Sequence, residues 1–370
     1  MKSCIIALIA GSALAAPSAA QVATLYSFAG ANDGENPHAG LIFQGGALFG
    51  TTGYGGTSQL GTVFKINPAN GAETVLHRFA GGADGANPFS RLLYFGGALY
   101  GTSWGGGGTC DCGTVFKMDP ATGANTVLHA FGRTDAAFPV AGLIVVGGAL
   151  YGTTTAGGTR NAGTVFKIEP TTGVFRVLHN FGGFGGRTPF GGLLYQAGAL
   201  YGTAFEGGTA GDGLVFRMNL GGGAYTVLHQ FAGADGSHPQ ARLISDAGAL
   251  YGTTRRGGSM DMGTVFTIDS ASGTESVLHN FCGTEGRVIE SGLTVHGGLL
   301  YGTASRGGTA DMGTLYSLDP GDGTLSVLYN FAAENGILPN EVMFHAGTLY
   351  GTTDLSGADE TFGTVFSMTP

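Results

Sequence analysis

The sequence predicts an all-β fold, a seven-bladed β-propeller of four-stranded antiparallel blades, and three observations carry that prediction. First, Leu-Tyr-Gly-Thr occurs at Leu99–Thr102, Leu150–Thr153, Leu200–Thr203, Leu250–Thr253, Leu300–Thr303 and Leu349–Thr352, and once as Leu-Phe-Gly-Thr at Leu48–Thr51. Its glycines, Gly50, Gly101, Gly152, Gly202, Gly252, Gly302 and Gly351, stand 49 to 51 residues apart, the spacing of a tandem structural array. Second, each unit divides into four short strands with no helical period between them. Third, six units carry a fourth strand but the seventh stops at Pro370 without one, while Thr24–Phe28 near the N-terminus matches the fourth strand Val327–Phe331. The N-terminal strand is therefore expected to complete the last blade and close the ring, leaving no exposed sheet edges.

The second unit shows how each element arises. Leu92–Phe95 is a short apolar run, Gly96-Gly97 supplies a turn that needs positive φ, and Ala98–Thr102 returns as the second strand. A glycine-rich loop from Ser103 to Gly113 leads to a third strand, Thr114–Met118. Pro120 and Gly123 provide the turn into the fourth strand, Asn125–Phe131.

Composition agrees with a packed body. Glycine makes up 72 of 370 residues, yet 43% of the chain is hydrophobic and it holds 24 Phe and 13 Tyr, so the glycines serve turns and not disorder. Charged residues are sparse at 11% and the net charge is −9, with no basic stripe, which speaks against nucleic acid and against an anionic membrane surface as partners. Residues 1–20 read as a secretory signal: Lys2, an apolar run from Ile5 to Ala15, and small residues at Ser18-Ala19-Ala20 before Gln21. We expect cleavage near Ala20, a single domain over residues 21–370, no membrane span in the mature chain, a secreted monomer, extracellular or periplasmic, and no cofactor. Loss of Cys4 would leave Cys110, Cys112 and Cys282, an odd number that rules out a full disulfide framework. Cys110-Asp111-Cys112 reads either as a short-range disulfide or as a zinc half-site without partners.

The units running from Gly97–Thr102 through Gly113–Phe116 resemble the tandem "GloVer" repeat of exported bacterial choice-of-anchor proteins, over essentially the whole mature chain. Kelch-like propellers are similar only in unit length. The resemblance implies an extracellular or surface setting and brings no catalytic residue with it.

Candidate site residues come from comparing the units with one another. The first-to-second and third-to-fourth turns are uniformly tight, so function is expected on the opposite face, with the variable second-to-third loops. There Trp104, the only tryptophan, could stack on a sugar. Arg255, Arg256 and Arg306 could bind a carboxylate or sulfate, or pair with Asp261 and Asp311 in the same loops. Glu206 stands in the same loop of its unit. The innermost strand begins with glycine in four units but with Arg91, Arg242 and Glu341 in three, near the channel mouth. Asp246, His296 and His345 occupy aligned positions at the other end of the channel; their residue types suit a metal, but we expect solvated side chains and no metal.

His77, His129, His179, His229 and His279 recur in one register and are expected to be structural, bonded between blades. The acids Asp33, Asp84, Asp135, Asp235 and Glu285 in the blade-to-blade crossovers read as turn stabilisers. The reading these features favour is a secreted binding or interaction module whose ligand, a glycan or cell-envelope component, sits on the loop face. The alternative is a secreted carbohydrate-active enzyme, a polysaccharide lyase or glycoside hydrolase, with Glu206 and Glu341 as candidate facing carboxylates.

Overall fold

A computed structural model describes residues 21–356 and 362–370; the expected secretory signal lies outside the described residues. Seven four-stranded antiparallel blades form the ring. Blade one consists of Ile42–Gln44, Ala47–Thr52, Thr62–Ile66 and Glu73–Arg78, hydrogen-bonded in that order from the axis outward, and blades two to six repeat the arrangement. Blade seven takes Met343–His345, Thr348–Leu355 and Thr364–Met368 from the C-terminal part of the chain and its outer strand, Val22–Ser27, from the N-terminal part. That last pairing is antiparallel, with Val22 opposite Met368 and Ser27 opposite Thr364, and it closes the ring as expected. A short additional strand, Ile337–Pro339, pairs with Thr348–Leu355. The remaining regular structure among the described residues is three single turns of 3-10 helix in the crossovers.

The repeated glycine follows from the core. Within blade three Gly152 pairs with Phe166 of the third strand, and a Cβ added at Gly152 would stand 2.6 Å from the Phe166 ring and 2.8 Å from Leu143. Absence of a side chain lets that ring lie flat across the strand, and the arrangement recurs in all seven blades. Freed in this way, the ring reaches the preceding blade. Phe28–Phe64, Phe79–Phe116, Phe131–Phe166, Phe181–Phe216, Phe231–Phe266, Phe281–Tyr316 and Phe331–Phe366 form seven edge-to-face pairs, one per junction, with centroids 5.0–5.4 Å apart. Each such pair contributes about 0.5–1.5 kcal/mol beyond its area burial.

The threonine of the repeat makes the second link between blades. Thr51, Thr203 and Thr303 donate to the carbonyls of Ser90, Ala241 and Asn340, at 3.2, 3.1 and 2.9 Å. These carbonyls immediately precede Arg91, Arg242 and Glu341, so the framework fixes the backbone from which those side chains project.

The outer rim differs from expectation. His77, His229 and His279 bond through Nε2 to the acid of their own outgoing crossover, Asp84, Asp235 and Glu285, at 2.9–3.0 Å, and of these His279 also reaches the neighbouring blade, its Nδ1 lying 3.3 Å from the Gly323 carbonyl oxygen. Tyr26 takes the same place in blade seven, donating to Asp33 at 2.8 Å. The two repeated features are halves of one contact, invisible in sequence because the partners lie six or seven residues apart across a bend. The neighbouring blade meets this pair with the first residue of its outer strand. Asn125 donates to Asp84 at 3.0 Å, and Phe175 and Tyr225 stack on His129 and His179 at 4.0 and 3.9 Å. Glu73 occupies this place beside Tyr26 and Asp33. Burial, then the Asp33 charge, pushes its carboxyl up to about 7, against a smaller opposing pull from Arg78.

Two outcomes follow from these contacts. Gly152→Ala should destabilise the protein by about 1–3 kcal/mol in urea denaturation, since overpacking a filled site forces the Phe166 ring to move; an unchanged midpoint would contradict the close approach. Glu73 is protonated in folded and unfolded chains below its ordinary value of 4.5, so it imposes no penalty there, whereas between 4.5 and about 7 the folded state alone retains the proton and stability declines as pH rises. Glu73→Gln removes this titration, so its melting temperature relative to the parent should be higher at pH 8 than at pH 4; equal differences would refute the assignment.

Candidate functional site

At the axis, on the loop face, the inner strands surround a cavity of about 690 Å³. Its floor is made by the three units that depart from glycine at the start of the innermost strand. Glu341 of blade seven accepts from Arg242 of blade five through Nε at 2.9 Å and Nη2 at 2.6 Å. Arg91 of blade two approaches the same carboxylate at 3.8 Å while its Nε donates to the Leu41 carbonyl at 3.3 Å. Glycine at the other positions makes room for this cluster: a Cβ at Gly40 or Gly292 would stand 3.3 Å from Glu341. Burial pushes the Glu341 carboxyl up, but Arg242 and Arg91 outweigh it and hold the group below the usual carboxylate range. Arg242 is held more firmly protonated by Glu341, whereas burial lowers Arg91. The floor therefore carries two guanidiniums and one carboxylate, a net positive charge inside an acidic protein.

The mouth is divided by chemistry. On one side Phe89, Trp104 and Phe190 line the cavity. Trp104 stacks on Phe138 of the following crossover at 5.0 Å and is still 39% exposed. On the other side lie His38, Glu290 and Asn340. His38 pairs with Asp354 at 3.0 Å, and that carboxylate, which also accepts from Asn340 at 2.8 Å, raises the imidazole to about 9, against burial. Glu290 accepts from Arg255 at 2.7 Å and from Ser305 at 3.3 Å.

Of the residues singled out in the sequence, Trp104, Arg91, Arg242 and Glu341 line this one cavity, and Arg255 stands behind it on Glu290. Arg256, Arg306 and Glu206 do not line it. Backbone bridges join Ser237 to Arg256, Arg287 to Arg306 and Arg187 to Glu206, one residue further along each loop, on an outer ring. The alternation of an extended chain separates the two sets, so adjacent Arg255 and Arg256 serve different surfaces. Glu206 pairs with Arg187 beside a shallow depression that includes Phe184, and it does not face Glu341 across a common pocket. Nor do Asp261 and Asp311 pair as expected: they accept from the Gly257 and Gly307 backbone at 2.8 Å, and Asp311 is bound by Arg287 at 2.6 Å.

At the tight-turn end His345 stacks on Phe43 at 3.6 Å and His296 on Phe344 at 3.7 Å; with Asp246 they do not converge to metal-ligating distance. Cys110 and Cys112 form a disulfide. His38, Phe89, Phe190 and Glu290 were missed in the sequence, although a signal exists: each follows the repeated proline, or Ile289 in its place, and varies from unit to unit.

Removing the central carboxylate tests this electrostatic account. Glu341→Gln should cost about 1–3 kcal/mol, less than for a fully buried pair because water reaches the cavity. Since the cost is repulsion between Arg91 and Arg242, it should shrink when urea denaturation is repeated in high salt; a salt-independent loss would reject that origin.

No curated protein matches the sequence. Similar solved structures include an oligogalacturonate lyase in complex with manganese, 15% identical, covering 96% of this chain and 94% of that one with a TM-score of 0.60. A second oligogalacturonate lyase, from Vibrio parahaemolyticus, is 12% identical over 94% and 93% with a TM-score of 0.57. A putative 6-phosphogluconolactonase from Bacteroides uniformis is 17% identical over 83% and 89% with a TM-score of 0.55. At these identities the likeness concerns the fold alone. The Gloeobacter/Verrucomicrobia repeat pattern matches residues 13–161, 107–312 and 245–370, and by that match, together with the seven-bladed ring, the chain belongs to this repeat family.

Proposed function

We propose that the protein is a secreted binding module whose ligand, a glycan or cell-envelope component, enters the central cavity from the loop face. The observation that carries this reading is the composition of the cavity wall, where aromatic faces at the mouth stand over a charged floor built at positions that are otherwise glycine. Flat rings suit the apolar faces of a sugar, and fixed guanidiniums suit hydroxyls and carboxylates. Arg91 and Arg242, with one shared counter-charge, favour an anionic sugar over a neutral one.

The enzyme reading has weaker support. A hydrolase needs a proton-donating carboxyl beside a second carboxylate. Glu341 is held ionised by its two arginines, and Glu290 is tied to Arg255. A lyase reading draws on the shared fold and on the guanidiniums, which could neutralise a uronate carboxylate.

Binding of uronate oligosaccharides, measured by calorimetry on residues 21–370, tests the proposal. Trp104→Ala should weaken binding about 3- to 10-fold, the loss of one stacked ring, and Arg242→Ala should weaken charged oligosaccharides more than neutral ones. Unchanged affinity in both variants would sink the site. Growth of ultraviolet absorbance from unsaturated products would identify a lyase instead of a binder.

A further inference from the structure

The outer junctions between blades are built to one plan, and one of them is chemically unlike the rest. In each, the residue at the histidine position of one blade and the following crossover meet the first residue of the next blade's outer strand. Asn125 answers Asp84 with a donor, Phe175 stacks on His129, and Tyr225 stacks on His179 and donates to the Gly185 carbonyl at 2.6 Å. Leu325 takes the place beside His279. Between blades four and five the third residue is Glu275, brought against His229 and Asp235, so that one imidazole nitrogen and two carboxylate oxygens lie within 4.8 Å of one another.

Hydrogen bonding leaves this cluster incomplete. His229 Nε2 bonds to Asp235 Oδ2 at 2.9 Å, and the other Asp235 oxygen accepts from the Ala232 backbone at 2.9 Å. Glu275 has no part in that network, and its Oε1 is sealed from solvent without a hydrogen-bond partner. A carboxylate oxygen so placed, beside a second carboxylate, is stabilised by a proton or by a cation, and the imidazole alongside makes the set one that a metal can use. The elements holding the three groups are ordered already: His229 packs edge-on against Phe231 at 4.8 Å, and the Asp235 carbonyl is held by Thr264 at 3.3 Å.

We propose that His229, Asp235 and Glu275 form a site for a divalent transition-metal ion of the zinc class on the outer rim, where blade four meets blade five, separate from the central cavity. His229 would contribute Nε2, Asp235 and Glu275 one oxygen each, and water the fourth position, a ligand set of the kind Zn²⁺ accepts. The ion takes the place of the hydrogen bond between His229 Nε2 and Asp235, and the metal-bound imidazole is neutral with its one proton on Nδ1. Calcium is disfavoured because it requires six to eight oxygen ligands. The junction between blades seven and one supplies an internal control, since Glu73 Oε1 is likewise buried without a partner beside Asp33, but a tyrosine, Tyr26, stands where the imidazole would be.

The test uses untagged residues 21–370, stripped of metal by chelator and titrated with zinc chloride by calorimetry. One ion should bind per chain, raising the melting temperature, with affinity at least 10-fold weaker in His229→Gln and in Glu275→Gln and unchanged in Glu73→Gln. A second readout needs no variant: Co²⁺ added to the parent should give visible d–d absorption that one equivalent of Zn²⁺ abolishes. The proposal is overturned if the parent shows no saturable binding, if the His229 and Glu275 variants bind as the parent does, or if Ca²⁺ saturates the site as tightly as Zn²⁺.

Discussion

Everything in this protein depends on a ring reaching across a gap. In each blade the third-strand aromatic lies over a glycine and touches an aromatic at the end of the previous blade's outer strand, as Phe166 lies over Gly152 and meets Phe131. The side chain that is missing at Gly152 is thus as important as the two that are present. Because the contact joins one blade to the next, the sheets are not seven independent units, and a single poor junction weakens two blades at once. The second link, from the repeated threonine to the next blade's first strand, carries this order inward to the cavity.

The cavity arises where the sevenfold pattern is broken. Four units keep glycine at the inner end of the first strand, and the space they leave is used by Arg91, Arg242 and Glu341 from blades two, five and seven. These residues are distant in sequence, and Arg242 and Glu341 stand 99 residues apart. Only ring geometry brings them together. Their net positive charge persists because the carboxylate cannot neutralise both guanidiniums, whereas at the mouth His38 and Asp354, and Arg255 and Glu290, cancel in pairs. The floor, and not the rim, is where an anion gains most.

The blades, their strand order and the closure by Val22–Ser27 were legible in the sequence because repetition exposes period, turns and a missing strand. The same comparison found the floor residues as exceptions to a repeated glycine. It failed where a contact joins two features that each look complete. The histidines and crossover acids each look complete in the sequence, and their bond depends on how tightly the intervening bend folds. It also failed at Arg255 and Arg256, since loop residues have no periodic pattern from which to tell an inner from an outer position. Glu290 is hidden in the sequence because its unit replaces the guiding proline with Ile289.

The pairing of Val22–Ser27 with Thr364–Met368 sets a condition on the order of assembly. Val22–Ser27 has no partner in its sheet until Thr364–Met368 exists, and in the interval it is an unpaired edge bearing Leu25 and Tyr26. Blades one to six and the contact between Phe28 and Phe64 can form as the chain lengthens, but blade seven is set against blade one only when Thr364–Met368 arrives to pair with Val22–Ser27. Folding of this chain is therefore expected to end in a slow, long-range closure step, with a six-bladed open form as the species most exposed to misassembly.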